Sequence, residues 1–443
     1  MSRRTKEGIA GLLVGAALAS ALAFLPVDLG VALAVAAPPV ALIALWLSLR
    51  GDPHERRTLV PIFLGAFALR AAVAIAIAYV APDGYFALDD LRYSALGQEL
   101  ARHWAGQGSF PEDIHGAVGY YLWDAAVFTL VGPVPLAATL LNGVLGACCS
   151  VLAWSLARAM AGETAARYAA LLTAFFPSLV LWSSLNLKDA LAVTAILVCV
   201  RGAQRLHERF GVGPLAAIVL GVAVLGELRG YLAFVAAAAL AVAIVLPRLG
   251  GRRAPVSIAA VLALGALVMV WLGPIEGLTD EASLGSLDHA RRELAFGASA
   301  YQGNANISTP GTALRFLPVG LGYFLLAPAP WQVWNTRQLL TLPEMLAWYA
   351  LLPRVVAGFL LAARRRFGAA LPLASVALFG SISYALVESN LGTAYRHRAQ
   401  VLVLFLVFGA IGLAERKAAV RRGTLPDPVV TPSPSDALGR SPA

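Results

Sequence analysis

The chain has 443 residues, 59% of them hydrophobic and only 13% charged, with a mean hydropathy of +0.73. A soluble domain carries about 25% charged residues, so this chain has too few to cover a water-facing surface. Repeated apolar runs near the roughly 20 residues that cross a bilayer predict an all-α, polytopic membrane protein. The net charge of +9 does not point to nucleic acid, because the basic residues stand in short clusters between apolar runs, as cytoplasmic loops do.

In chain order, spans are predicted near 8–25, 29–48 and 59–80. The start, "MSRRTKEGIAGLLVGAALASALAF", has the look of a signal peptide. Cleavage near "AVAAPP" would leave the basic "RGDPHERR" outside, against the positive-inside rule, so an uncleaved anchor is expected. Residues 81–118 form the first long outer loop, and "GYYLWDAAVFTLVG" (119–132) is too short to cross and should lie at the interface. Further spans follow near 134–158, 166–183 and 188–203, with 204–211 cytoplasmic. The run 213–247 is apolar except for "GELRG" at its middle. Glu227 and Arg229 are costly at mid-bilayer, so two short spans with this stretch at the outer apex are predicted.

Residues 248–255 are then inside, and 256–273 crosses to a second long outer loop, 275–312. Spans near 346–363, 369–387 and 399–414 complete the membrane part. The segment 314–331 contains Pro318, Pro328 and Pro330, and a full crossing there would put Arg364, Arg365 and Arg366 outside. It is predicted to be re-entrant or interfacial. The sum is about twelve spans, with both termini cytoplasmic in a cell membrane. The Pro/Ser-rich tail is expected to be disordered. The divisions are an N-terminal hairpin (1–50), a membrane domain (51–417) and a tail (418–443). Cys148, Cys149 and Cys199 lie in apolar segments with no CxxC or Cys/His spacing, which speaks against disulfides and a thiolate metal site.

One stretch stands out as chemistry. "FALDDLRYSALGQELARHWAGQG" (86–108) places Asp89 and Asp90 at the head of an amphipathic helix, with Tyr93, Leu96, Leu100 and Trp104 on one face. On local sequence alone the favoured role for Asp89 is a helix N-cap. One cap needs only one carboxylate, which leaves room for a general base at the membrane edge. His115 near Glu112 and Asp113, or Asp90 itself, leaves a divalent cation open, although a loop histidine in water is more often no ligand.

"DDLRY" after an outward span resembles the acidic pair of the GT-C glycosyltransferases, among them the protein O-mannosyltransferases, the lipid A aminoarabinose transferases and the bacterial family 39-like enzymes. "IHGAVGYYLWDAAVFTLVG", "FFPSLVLWSSLNLKDALA" (175–192) and "NLGTAYRHRAQVLVLFLVFGAIGL" (390–413) resemble later segments of that family in the same order. The likeness spans roughly 59–414; the hairpin 1–48 and the lack of a large soluble outer domain depart from it. The resemblance implies a sugar transferase with Asp89 as catalytic residue, assisted by Asp90. It also implies a polyprenyl-phosphate-linked sugar as donor, and a glycan, lipid or protein as acceptor.

The placement of cations agrees. Lys188, Arg229, Arg396, His397 and Arg398 fall on the outer side, where the positive-inside rule does not put them. Lys188, Arg229, Arg396 and Arg398 are therefore candidates for the donor phosphate: any single arginine is better explained by snorkelling to headgroups, but the four sites together favour convergence on one anion. Tyr93, His115, Asp189 and His397 are further cavity candidates, with Asn186 beside Asp189. One rival, a transporter or flippase of lipid-linked sugars, needs outer and inner basic sites but no base; a polymerase or ligase of lipid-linked glycans, also polytopic, is a third reading.

Overall fold

A computed structural model describes residues 26–49, 52–114, 116–248, 283–297, 299–333 and 336–423. The spans predicted at 8–25 and 256–273, His115 and the tail beyond 423 lie outside the described residues. Helices dominate in chain order: α1 (Val27–Leu49), α2 (Pro53–Val80), α3 (Asp89–Trp104), α4 (Val118–Val131), α5 (Pro135–Phe175), α6 (Pro177–Trp182) and α7 (Asp189–Glu208). They continue as α8 (Val212–Leu228), α9 (Gly230–Val245), α10 (Leu284–Leu294), α11 (Pro310–Leu326), α12 (Thr336–Val387) and α13 (Leu391–Arg421).

Five described helices are long and apolar enough to cross a membrane: α1, α2, α5, most of α12, and α13. Helices α4, α8 and α9 are apolar but shorter. This is an all-α membrane protein, with five such helices among the described residues against the dozen expected.

Two of the five are really pairs. α5 breaks at Ala161 and Gly162, where the glycine takes φ +78°, a conformation that costs it no Cβ clash. The break doubles the chain back, because Arg70 of α2 reaches the carbonyl of Ala174 (2.7 Å) while a Cβ on Gly146 would touch the same arginine. α12 breaks likewise at Arg366. Helix α1 packs on α2 and α5, so the described half of the expected hairpin belongs to the bundle. α13 runs to Arg421, past the boundary predicted at 417.

Interactions sort the loops onto two ends. At one end Arg158 pairs with Glu55, His54 with Glu163, and Arg365 with Glu415 (3.2 Å). Gln204 bonds the carbonyls of Leu156 (3.3 Å) and Ala369 (3.2 Å) there as well. All the described loops predicted to be cytoplasmic therefore share this end. The opposite end gathers the start of α3, the 183–189 turn, the α8–α9 apex at Arg229 and the 388–390 turn.

α11 covers most of the awkward 314–331 segment. Thr309 caps it and Pro310 fills its first turn, where a missing N–H costs nothing. Gly320 abuts Ala385 near the end of α12, and Trp348 Nε1 bonds the carbonyl of Leu325 at 2.8 Å. The chain then enters α12, whose break at Arg366 lies at the far end. Both ends of α11 therefore stay on the side of the 388–390 turn, as a re-entrant or interfacial segment requires.

A carboxylate and cation cluster at one end of the bundle

Asp89 is not the helix cap. Leu88 holds the cap position with an already helical backbone, and no side chain caps the helix. The Asp89 carboxylate instead accepts from Arg396 Nη1 at 2.7 Å and stays 53% exposed. Arg396 reaches it because Asn390 caps α13 through the N–H of Gly392, which puts the arginine in the second turn. Its Nε donates to Asp189 at 2.8 Å, so one guanidinium spans both carboxylates.

Asp189 is the hub. It is 1% exposed, heads α7, and accepts from Gln400 Nε2 at 2.8 Å on its other oxygen, with Arg229 Nη2 at 3.7 Å. Arg229 sits in the break between α8 and α9, donates to Tyr231 OH (3.1 Å) and keeps a buried Nε with no partner among the described residues. The Lys188 ammonium lies 5.9 Å from the centre of the Tyr93 ring. No described carboxylate is within ion-pair distance of it. Burial, then the nearby Arg229, holds this amine down to about 7.

Asp90 is half-buried. Burial pushes its carboxyl up to about 6, against the lowering effect of the Asn186 N–H and Arg396. Behind it lies a buried polar network. Asn186 Nδ2 donates to Asp124 (2.7 Å) and Ser94 (3.0 Å), and Tyr120 OH donates to Asn186 Oδ1 at 2.7 Å. Asn142 fixes the turn itself through the carbonyls of Leu185 (3.0 Å) and Leu187 (3.1 Å). Tyr93 is buried against Tyr120, with ring centres 4.9 Å apart. Buried networks that are largely satisfied rigidify what they hold, here the turn that presents Lys188 and Asp189.

Asp89, Asp90, Lys188, Asp189, Arg229 and Arg396 thus meet at one end, with Tyr93 beneath Lys188 and His397 one residue along α13. Arg398 does not join them. It bonds the carbonyl of Ala327 (2.7 Å) and Met345 Sδ (2.9 Å), holding the end of α11 against α12. Among the described residues no group of three or more His, Cys, Asp or Glu side chains is placed to hold a metal. Asp124, Gln400 and Glu388 were not picked out from sequence. Glu388 did carry a signal, being an acid at the edge of an apolar span.

No protein-family model matches the chain, and no curated protein does. Solved structures of an oligosaccharyltransferase from Archaeoglobus fulgidus are similar in fold. The apo form is 14% identical with a TM-score of 0.45, covering 82% of this chain and 51% of the other. The form tethered through a disulfide to an acceptor peptide with the NVT sequon is 15% identical with a TM-score of 0.46, over 82% and 51%. AglB from the same organism, in complex with an inhibitory peptide and a dolichol-phosphate, is 13% identical with a TM-score of 0.46, over 86% and 52%. The chain spans about half the length of these proteins.

Proposed function

We propose that this protein is a membrane glycosyltransferase of the GT-C type that moves a sugar from a polyprenyl-phosphate carrier to an acceptor hydroxyl. One arrangement carries the proposal: Asp89 stands half-exposed in the grip of Arg396, next to Lys188, whose ammonium lies over the Tyr93 ring, and Arg229, which keeps a buried Nε without a partner among the described residues. A lipid phosphate gains charge as the sugar departs, and in this reading Lys188 and Arg229 receive it. Asp89 takes the proton of the acceptor hydroxyl as that oxygen attacks the anomeric carbon, most simply with inversion. A carboxylate bonded to an arginine is a weak base. That suits a reaction in which the sugar carbon is already cationic when the proton leaves.

Asp90 orients Asp89 or holds the acceptor. The amphipathic α3 and the apolar α4 shape the entrance for the lipid. The order of motifs shared with the GT-C enzymes favours the same assignment. Incubating the purified protein with a polyprenyl-phosphate-linked sugar and an acceptor hydroxyl tests it. Free polyprenyl phosphate is the expected product. Movement of intact donor between leaflets without its release would instead identify a flippase.

A further inference from the structure

The end of the bundle that holds the cluster also buries an acid and a histidine in contact. Glu388, 1% exposed, bonds His397 Nδ1 through one oxygen and accepts from Thr393 Oγ1 at 2.6 Å through the other. Burial opposes its charge, yet the His397 and Thr393 contacts hold this carboxyl below its ordinary range. An ionised carboxylate only accepts, so Nδ1 carries the proton and Nε2 is the free edge of the ring. No described residue bonds Nε2. The ring stacks on Tyr384 with centres 5.1 Å apart. Tyr384 OH donates to Gln400 at 2.5 Å, and Gln400 donates to Asp189, so the ring's support is continuous with the cluster.

The acid is pinned from outside as well. Arg291, 0% exposed, donates to the Glu388 carbonyl and to that of Gln302 (3.1 Å). Tyr301 N–H donates to the carbonyl of Ser389 at 2.8 Å, and Leu391 N–H to that of Ser299 at 2.8 Å. Packing alone does not call for an ionised acid beside a ring, because removing a carboxylate from water costs several kcal/mol. A carboxylate on Nδ1 fixes the imidazole's orientation and turns Nε2 outward from the pair.

We propose that His397, with Glu388 as its positioning residue, presents Nε2–H to the phosphate of the lipid-linked donor and passes that proton to the phosphate oxygen as the sugar leaves. The step rests on the transferase function proposed above. The bond from the anomeric carbon to the phosphate oxygen breaks with its electron pair going to that oxygen. The Nε2 proton joins the oxygen, while the acceptor's proton goes to Asp89. The second ring proton is taken up with the donor, whose phosphate anion against Nε2 and Glu388 on Nδ1 together balance the imidazolium.

The test is single-turnover release of polyprenyl phosphate from a lipid-linked sugar, with binding of polyprenyl phosphate itself as the control for an intact site. His397→Ala should retain product binding and lose turnover by about 10²-fold or more, with imidazole in the buffer restoring part of it. Glu388→Gln should lose less and gain nothing from imidazole. Full turnover by His397→Ala overturns the proposal. So does loss of product binding in step with turnover in both His397→Ala and His397→Gln, which would make the ring a shaping residue only. Absence of release by the unsubstituted protein would instead defeat the transferase function itself.

Discussion

Arg396 is the residue through which the two sides of the site communicate, because its guanidinium touches Asp89 from α3 and Asp189 from α7. A lysine cannot make both contacts from one nitrogen in that planar geometry. Arg396→Lys should therefore abolish turnover while the protein still inserts and folds, as membrane extraction and size-exclusion profiles would report.

Lys188 gives a prediction with a definite sign. Burial and Arg229 hold its amine down to about 7, so in the free protein it is partly neutral near neutral pH. A phosphodiester donor favours the charged amine. Binding should take up protons near pH 7, and affinity should fall as pH rises above it. Lys188→Arg, charged throughout, should flatten that fall; calorimetry in buffers of different ionisation enthalpy reads the proton uptake directly. A slope equal to that of the unsubstituted protein would remove Lys188 from the donor site.

The positions of these groups were legible in the sequence, and their directions were not. Charge in apolar company marked Asp89, Lys188, Arg229 and Arg396. Whether an arginine looks into the site or away from it depends on how helix packing rotates α13. Two residues of helical spacing send Arg396 to Asp89 and Arg398 to Ala327. Asp89 stands one place inside the cap position that local sequence favoured for it, and its carboxylate meets Arg396 instead.

At the scale of elements, two contacts decide how the last helices close. A Cβ on Gly358 would lie 1.9 Å from the Phe408 carbonyl oxygen, and one on Gly412 would lie 2.1 Å from that of Arg354. α12 and α13 therefore meet backbone to backbone over this stretch, as small residues allow between membrane helices. Gly412→Ala should destabilise the protein by about 1–3 kcal/mol, the usual cost of overpacking, seen as a lowered melting temperature in detergent. Donor binding at low temperature should change little, since the contact lies toward the end away from Asp189. The paired passes inside α5 and α12 were foreseen from length and from basic "RRRF", and the α8–α9 apex from the expense of Glu227 and Arg229 at mid-bilayer. The packing of residues 291–302 onto 386–391 was not. It rests on Arg291 and a few backbone bonds between segments nearly a hundred residues apart, which leave no periodic trace.

For the whole molecule, the clustering of loops into two ends makes topology a single question. Cysteines placed at Asp83 and Phe296 should react with an impermeant reagent from outside the cell. Those at Arg57 and Arg365 should react only after the membrane is opened. The native Cys149 and Cys199 are buried among helices and Cys148 is half-buried, so the native background should be low. Labelling of residue 365 from outside would invert the orientation and put the cluster on the cytoplasmic face.

The central claim is that Asp89 removes a proton during sugar transfer, and Asp89→Asn tests it most directly. No cap bond is lost, because Asp89 makes none, and an amide oxygen still accepts from Arg396. Only the proton acceptor disappears. Release of polyprenyl phosphate from a lipid-linked sugar should fall by about 10²–10⁴, with the melting temperature unchanged. An Asp89→Asn protein that is stable and releases polyprenyl phosphate at the full rate would contradict the account and leave this carboxylate as an anchor for Arg396.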